Sequence, residues 1–256
     1  VPFIFICLFT LNLNAQSDSS MIKSITVGET TIQILQQYGD VNDQVLFINV
    51  HEDEQTSIDA VDHYSKDTAL HFVRLKHVET RRVDFTMRGK QYSVDPNRIF
   101  TRKGRRKTLK DGGKFSFKAS KQVKLLADNI LTYLDGKSII VAMHNNTDVN
   151  YSIKSYLPGG DEAKNTAEVY VTESWDADDF IYTTDKMFYD IFKEKDINVI
   201  LQDNKGYVND GSLSVYCGSR GIPYINIEAQ KGHFDEQLKL IEEVMDAIAI
   251  YIEATL

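Results

Sequence analysis

Apolar and polar positions alternate along this chain in two registers. Continuous apolar runs occur at 45–50 (Val-Leu-Phe-Ile-Asn-Val), within 137–143 (Lys-Ser-Ile-Ile-Val-Ala-Met) and at 223–227 (Pro-Tyr-Ile-Asn-Ile). Runs of that length and composition predict strands covered on both faces of a sheet. Thr31 to Leu35 alternates as a half-buried strand does, and 70–75, 168–172 and 198–202 read as further short strands. Helical spacing marks 120–134, where Val123, Leu126, Ala127, Ile130, Leu131 and Leu134 keep a 3.6-residue period. The same spacing predicts helices over 56–65, with Thr56 or Ser57 as cap, over 186–193, and over 234–251. The segment 210–214 starts a short helix. Residues 82–87 and 91–94, separated by Arg88-Gly89-Lys90, predict a hairpin whose glycine permits the turn. The expected fold class is therefore α/β, a single domain with a central, mostly parallel (mixed) sheet and helices on both faces, the hairpin giving it some antiparallel character.

Three of the buried strands end alike: Val50 runs into His51, Met143 into His144, and Ile227 into Glu228. Parallel strands would bring all three to one sheet edge, where open α/β sheets bind ligands. Glu54, three residues after His51, completes a set of two histidines and two carboxylates. A catalytic metal needs three protein ligands and an open position, with a further carboxylate to move protons. His51, Glu54 and His144 suit the first role and Glu228 the second. Singly, each also reads as a rim histidine or a salt-bridge partner. The same His-x-x-Glu spacing at His233–Glu236 opens the last helix and reads as capping and solvated surface. Asp95-Pro96-Asn97-Arg98 is either a turn closed by Asp95 and Asn97 or a fork in which Asn97 and Arg98 hold a carboxylate. Tyr207, Asp210 and Ser212 read equally as pocket wall or as an ordinary Asp-Gly turn.

Composition narrows the function class. The chain has 256 residues, four prolines and a net charge of −8. No linker-like stretch follows Ser20, which favours one domain. The acidic balance argues against nucleic acid or an anionic membrane as the main partner. Arg102-Lys-Gly-Arg-Arg-Lys107 with Lys110 is the local exception, expected as a solvated basic loop able to attract an anionic substrate or cell-wall polymer. Residues 1–15 are mostly apolar and uncharged and end in Asn14-Ala15. That is the pattern of a cleaved signal peptide, with a short anchor or buried strand as the competing reading. The expected division is signal peptide 1–15 and one domain 16–256, secreted or periplasmic, with no membrane span after signal removal. Cys7 lies in that segment. Cys217 then stands alone, which excludes an internal disulfide and a thiolate zinc cluster.

His51-x-x-Glu54, Asp95-x-Asn97-Arg98 with Phe100 close behind, and His144-Asn145-Asn146-Thr147 resemble, in order, the motifs of the zinc carboxypeptidase superfamily. Ile227-Glu228-Ala229-Gln230 makes the likeness closer to the succinylglutamate desuccinylase and aspartoacylase branch. The resemblance spans roughly 45–230. It implies a zinc-carboxypeptidase-like fold and Zn²⁺ held by His51, Glu54 and His144. It further implies Glu228 as general base and then acid, Asn97 and Arg98 on a substrate carboxylate, and an arginine that polarises the scissile carbonyl. Arg88 is the nearest candidate for that arginine, with Arg82 behind it. Phe47-Ile-Asn-Val replaces the usual glycine-rich approach to the first ligand, Pro96 stands where an apolar residue is common, and no separate C-terminal β-domain is expected within residues 16–256. The expected function is a secreted zinc-dependent amide or peptide hydrolase, a carboxypeptidase or an N-acyl-amino-acid deacylase. Its substrate would be a small peptide, cell-wall peptides included, or an N-acyl amino acid. The competing class is an inactive carboxypeptidase-like protein that binds peptide or cell-wall termini. The sequence does not fix the oligomeric state.

Overall fold

A computed structural model describes residues 20–39, 42–147, 149 and 151–255. The expected signal peptide, 1–15, lies outside the described residues. The chain opens with the antiparallel pair β1 (Ser20–Val27) and β2 (Thr30–Gln37), then β3 (Val45–Asn49), α1 (Gln55–Tyr64) and β4 (Phe72–Lys76). The hairpin β5 (Val83–Met87) and β6 (Lys90–Val94) follows, then α2 (Arg102–Asp111), α3 (Phe117–Leu131) and β7 (Ile139–Asn146). The C-terminal half adds β8 (Thr166–Tyr170), β9 (Phe180–Thr183), α4 (Lys186–Glu194), β10 (Val199–Gln202), α5 (Leu213–Gly218), β11 (Tyr224–Gln230) and α6 (Phe234–Thr255).

Nine strands form one sheet in the order β1-β2-β4-β3-β7-β11-β9-β10-β8. Its centre is parallel: β4, β3, β7 and β11 run the same way. The flanks bring in antiparallel pairs, at β1–β2, β2–β4, β11–β9 and β10–β8, although β9 and β10 pair parallel. The mixed character therefore lies in the main sheet's flanks. The hairpin β5–β6 forms a separate two-stranded sheet, tied to the β1–β2 turn by Glu29 N donating to Thr86 O at 2.7 Å. Arg88 and Gly89 both have positive φ, +53° and +67°, the two-residue turn that matches strand twist.

The continuous apolar runs have a direct cause. Along β3, Leu46 and Ile48 join one core with α2, α3, α5 and the hairpin, while Val45 and Phe47 join the other with α1, α4 and α6. Ile140 and Ala142 against Ile139, Val141 and Met143 repeat this split in β7. Residues 45–48 and 139–143 are apolar throughout because neither face of these strands meets water.

Two expectations are corrected. The basic segment 102–107 is helical: Thr101 caps α2 by accepting from Gly104 N at 3.0 Å, and Thr108 and Leu109 anchor its buried side. Neither Thr56 nor Ser57 caps α1. Glu54 holds the N-cap position with its side chain turned elsewhere, and that diversion serves the site. Among the described residues, no helix is long and apolar enough to cross a membrane.

Candidate metal centre and cleft

Register places the site. Parallel pairing sets Glu228 of β11 directly across from His144 of β7, and β3, on the other side of β7, ends two residues before His51. Glu54 N donates to His51 O at 3.2 Å, a tight turn that folds the Glu54 carboxylate back over His51. Asn49 stiffens this corner, donating through Nδ2 to Met143 O at 2.9 Å and to Ser57 Oγ at 3.1 Å.

His51, Glu54 and His144 are all buried, and one donor atom from each lies within 4.8 Å of the others. His51 Nδ1 stands 2.9 Å from Glu54 Oε1 and 3.3 Å from His144 Nδ1, and His144 Nδ1 stands 2.7 Å from Glu54 Oε2. Donors around a tetrahedral ion with bonds of about 2.0–2.1 Å are roughly 3.3 Å apart. Two imidazole nitrogens and a carboxylate aimed at one buried point suit a divalent cation. On the far side of His51, Nε2 lies 2.8 Å from Asp95 Oδ1, so a carboxylate fixes which nitrogen faces the centre. Asp95 is held in turn by Asn97 N, which donates to the same Oδ1 at 2.8 Å.

The charges agree with this arrangement. Burial opposes a proton on His51, but the Glu54 charge and the bond to Asp95 outweigh it and push the imidazole up to about 9. Burial also opposes charge on Glu54 and Asp95. The neighbouring histidines prevail and hold both carboxyls well below the usual carboxylate range. In the metal-free protein, positive charge is thus favoured where a cation would sit.

Glu228 behaves differently. Burial, against the pull of His144 and aided by the Glu54 charge, holds its carboxyl above the ordinary range. Asn226 Nδ2 donates to its Oε1 at 3.1 Å. A carboxyl whose pKa is raised, beside a candidate metal site, is suited to taking and returning a proton.

A cleft of about 280 Å³ opens beside His144 and Glu228, and Arg81, Asn97, Arg98, Tyr151, Tyr182 and Asp210 are among its lining residues. Asn97 is anchored by its Oδ1, which accepts from Leu213 N at 3.1 Å. Arg98 Nε sits 3.3 Å from Asp210 Oδ2, and its Nη1 donates to Asn97 O. Tyr207, Asp210 and Ser212 all line the cleft, although Ser212 also caps α5.

Arg88 is not at the site. It occupies the β5–β6 turn and borders a separate depression with Gly28, Glu29 and Lys118. Arg82 is spent on structure, donating to Ser93 O and Thr108 O. Arg81, rather than Arg88 or Arg82, lines the cleft. Its Nη1 donates to Glu54 Oε1 at 2.7 Å, and it lines the cleft with Glu228. The buried Glu52 carboxylate accepts from the backbone of His77 and Glu79. It thereby pins the loop that delivers Arg81. Only the fall of one arginine of the Arg81–Arg82 pair toward the core and the other toward the cleft separates them, and no periodicity in 77–82 signals it.

His233 lies outside the ligand set. Its Nδ1 sits 3.0 Å from Asp179 Oδ2 at the start of α6. Burial pushes the Cys217 thiol up to about 12, which removes it as a nucleophile at neutral pH.

The sequence matches no protein-family model and no curated protein. Solved structures do match. An aspartoacylase family protein from Mesorhizobium loti is 13% identical, over 94% of this chain and 69% of that one, with a TM-score of 0.50. The succinylglutamate desuccinylase of Chromobacterium violaceum is 10% identical over 91% and 69%, at 0.45. A metallo-carboxypeptidase from Burkholderia cenocepacia is 10% identical over 92% and 65%, at 0.46. At such identities the likeness concerns the fold. The chain has the fold of the Mesorhizobium aspartoacylase family protein.

Proposed function

We propose that this protein is a zinc-dependent amide hydrolase that cleaves a small peptide or N-acyl amino acid and releases a carboxylate-bearing product. The observation that carries the reading is the meeting of His51, Glu54 and His144 within 4.8 Å, with Glu228 across the strand pair from His144. His51 and His144 would hold the ion through Nδ1 and Glu54 through its carboxylate. Zn²⁺ in that position would acidify a water towards neutral pH and act as a Lewis acid on the scissile carbonyl.

The remaining steps fall to the protein's own groups. Glu228 takes the proton from the attacking water and returns it to the leaving nitrogen, which its raised pKa permits. Arg81, charged and facing the same cleft, stabilises the oxyanion that forms at the carbonyl. Arg98, kept in place by Asp210 and by the Asn97 carbonyl, receives the substrate carboxylate together with Asn97. Export directed by residues 1–15 would bring the protein to peptides outside the cytoplasm, those of the cell wall among them.

Metal analysis of the purified protein, paired with a panel of N-acyl amino acids and short peptides, tests this. One zinc per chain, lost in His51→Ala, with release of free amine from a member of the panel, is the expected result. Protein that binds no stoichiometric metal would sink the proposal. Metal without hydrolysis of any member would instead favour a binding protein for peptide termini.

A further inference from the structure

The chain is acidic overall, but its charge is unevenly placed. Residues 102–124 hold ten of the 29 basic residues and one of the 37 acidic ones, so this stretch carries +9 while the remainder carries −17. The stretch comprises α2 and the first half of α3, two neighbouring helices on the same face of the sheet. Thr108, Leu109, Ala119 and Val123 point into the core, and Lys103, Arg106, Lys110, Lys114, Lys118 and Lys121 are exposed. None of those six has a carboxylate partner among the described residues, whereas Lys107 and Lys124 are paired with Asp111 and Asp128. Arg88, at the hairpin turn, shares a depression with Lys118 and Lys121 and extends the positive surface.

The same surface exposes apolar side chains. Phe117, at the first position of α3, is 73% exposed, and Leu125 is 43% exposed. At 100° per residue, Phe117, Lys121, Lys124 and Leu125 fall on one side of α3. Phe115 meets Phe117 at 5.4 Å and lies under the Arg106 guanidinium, which links the aromatic pair to α2. An aromatic ring held out in water among unpaired cations fits an amphiphilic partner.

We propose that this face docks on an anionic phospholipid surface, the cations meeting headgroups and Phe117 entering the interface. Unpaired lysines and arginines near an anionic leaflet attract it, each worth about fivefold in affinity. The acidic remainder does not cancel the attraction, because charges beyond a Debye length of roughly 8–10 Å are screened. A soluble polyanion, a glycan or a nucleic acid, would use the cations and leave Phe117 in water. Docking would also set the cleft beside the membrane. Gly104 of α2 packs on the 210–211 loop at the cleft wall, and Thr101 Oγ1 donates to Asn209 Oδ1 at 2.7 Å.

Sedimentation with vesicles decides the matter without reference to hydrolysis. Wild type is expected to bind equimolar phosphatidylcholine–phosphatidylglycerol vesicles, to ignore phosphatidylcholine vesicles, and to dissociate in high salt. Phe117→Ser should weaken binding on the order of tenfold. Combined glutamine replacement of Lys103, Lys110, Lys118 and Lys121 should weaken it by roughly several hundredfold. Glutamine at Lys193 and Lys239, on the opposite face of the sheet, should leave binding unchanged. Circular dichroism of each variant reports its folding, and the wild-type and Phe117→Ser measurements decide even if the fourfold variant misfolds. Absence of wild-type binding to the anionic vesicles overturns the proposal. So does heparin binding with no effect of Phe117→Ser on vesicles, which would assign the face to a soluble polyanion.

Discussion

Glu228 stands in register with His144 across the parallel β11–β7 pair, so the proposed proton-transfer group and the proposed metal ligand are set by the same ladder of hydrogen bonds. Their separation does not depend on a loop. Replacing Glu228 with Gln keeps the shape and the bond from Asn226 while removing the base. We expect unchanged metal content and a loss of hydrolysis of about 10²–10⁴-fold. Metal analysis and turnover measured on one preparation check this.

The two arginines on either side of β5 should behave oppositely. Arg81→Gln removes the positive charge beside Glu54 and the cleft, and we expect kcat to fall by about 10²–10³-fold, the size of losing one oxyanion donor. Arg88→Gln alters an exposed turn that borders no part of the cleft and should leave kcat and KM unchanged. Steady-state kinetics of the two variants on one substrate discriminate the roles.

The candidate site was partly legible because its proposed ligands lie close to strands whose apolar runs could be read directly. Val45–Asn49 and Ile139–Asn146 are buried on both faces, so their apolar runs could be read directly, with His51 after the first run and His144 next to the second, two residues before β7 ends. Other elements gave weaker signals. The first five residues of β1 are exposed, so no alternation marked that edge strand. β9 is four residues long and follows a polar turn at 176–179. In α2 the abundance of like charges and Gly104 spoke for a loop, but the buried contacts of Thr108 and Leu109 outweighed them. Arg81 was hidden because its position depends on Glu52 gripping the backbone of His77 and Glu79, a contact with no sequence period.

Asp95 predicts a metal-affinity effect separate from ligation. It touches His51 at 2.8 Å on the nitrogen that faces away from the other donors. Asp95→Asn preserves the turn but weakens the orientation and basicity of the imidazole. A loss of about 10–100-fold in zinc affinity is expected, measured by competition with a chromophoric chelator, with the fold unchanged by circular dichroism.

His233 and Asp179 supply a pH dependence away from the metal centre. Burial works against the His233 proton, but the bond to Asp179 and its charge prevail and raise the pKa above the ordinary value. A group whose pKa is higher in the folded state stabilises the fold fully below its unfolded pKa and loses that contribution as pH rises through the folded value. Wild type should therefore exceed His233→Asn in stability at about pH 5–6, and the gap should close towards about pH 8. Urea unfolding of both proteins across that range measures it, and a gap that widened with pH would contradict the pairing.

Gly104 ties the stability of α2 to the geometry of the cleft. A Cβ at this buried helical position would lie 2.5 Å from the Arg98 carbonyl oxygen, 2.8 Å from that of Asp210, and closer still to Gly211 Cα. All three are backbone atoms, so no side chain can swing aside. Gly211 itself has φ +90°, a region closed to most other residues, so the loop has little freedom to accommodate the intrusion. Helix propensity would favour alanine by about 1 kcal/mol, whereas forcing atoms into a packed contact costs about 1–3 kcal/mol. Overpacking should win, and Gly104→Ala should be destabilised by about 1–2 kcal/mol net. Its second consequence is specific to this fold. The displaced backbone carries Arg98 on one side and Asp210 on the other, so their 3.3 Å contact should break and Arg98, the proposed carboxylate-binding side chain, should lose its anchor. We expect KM to rise more than kcat falls, with metal content unchanged. Equal loss in both parameters together with metal loss would mean that α2 supports the whole site rather than the carboxylate end of the cleft.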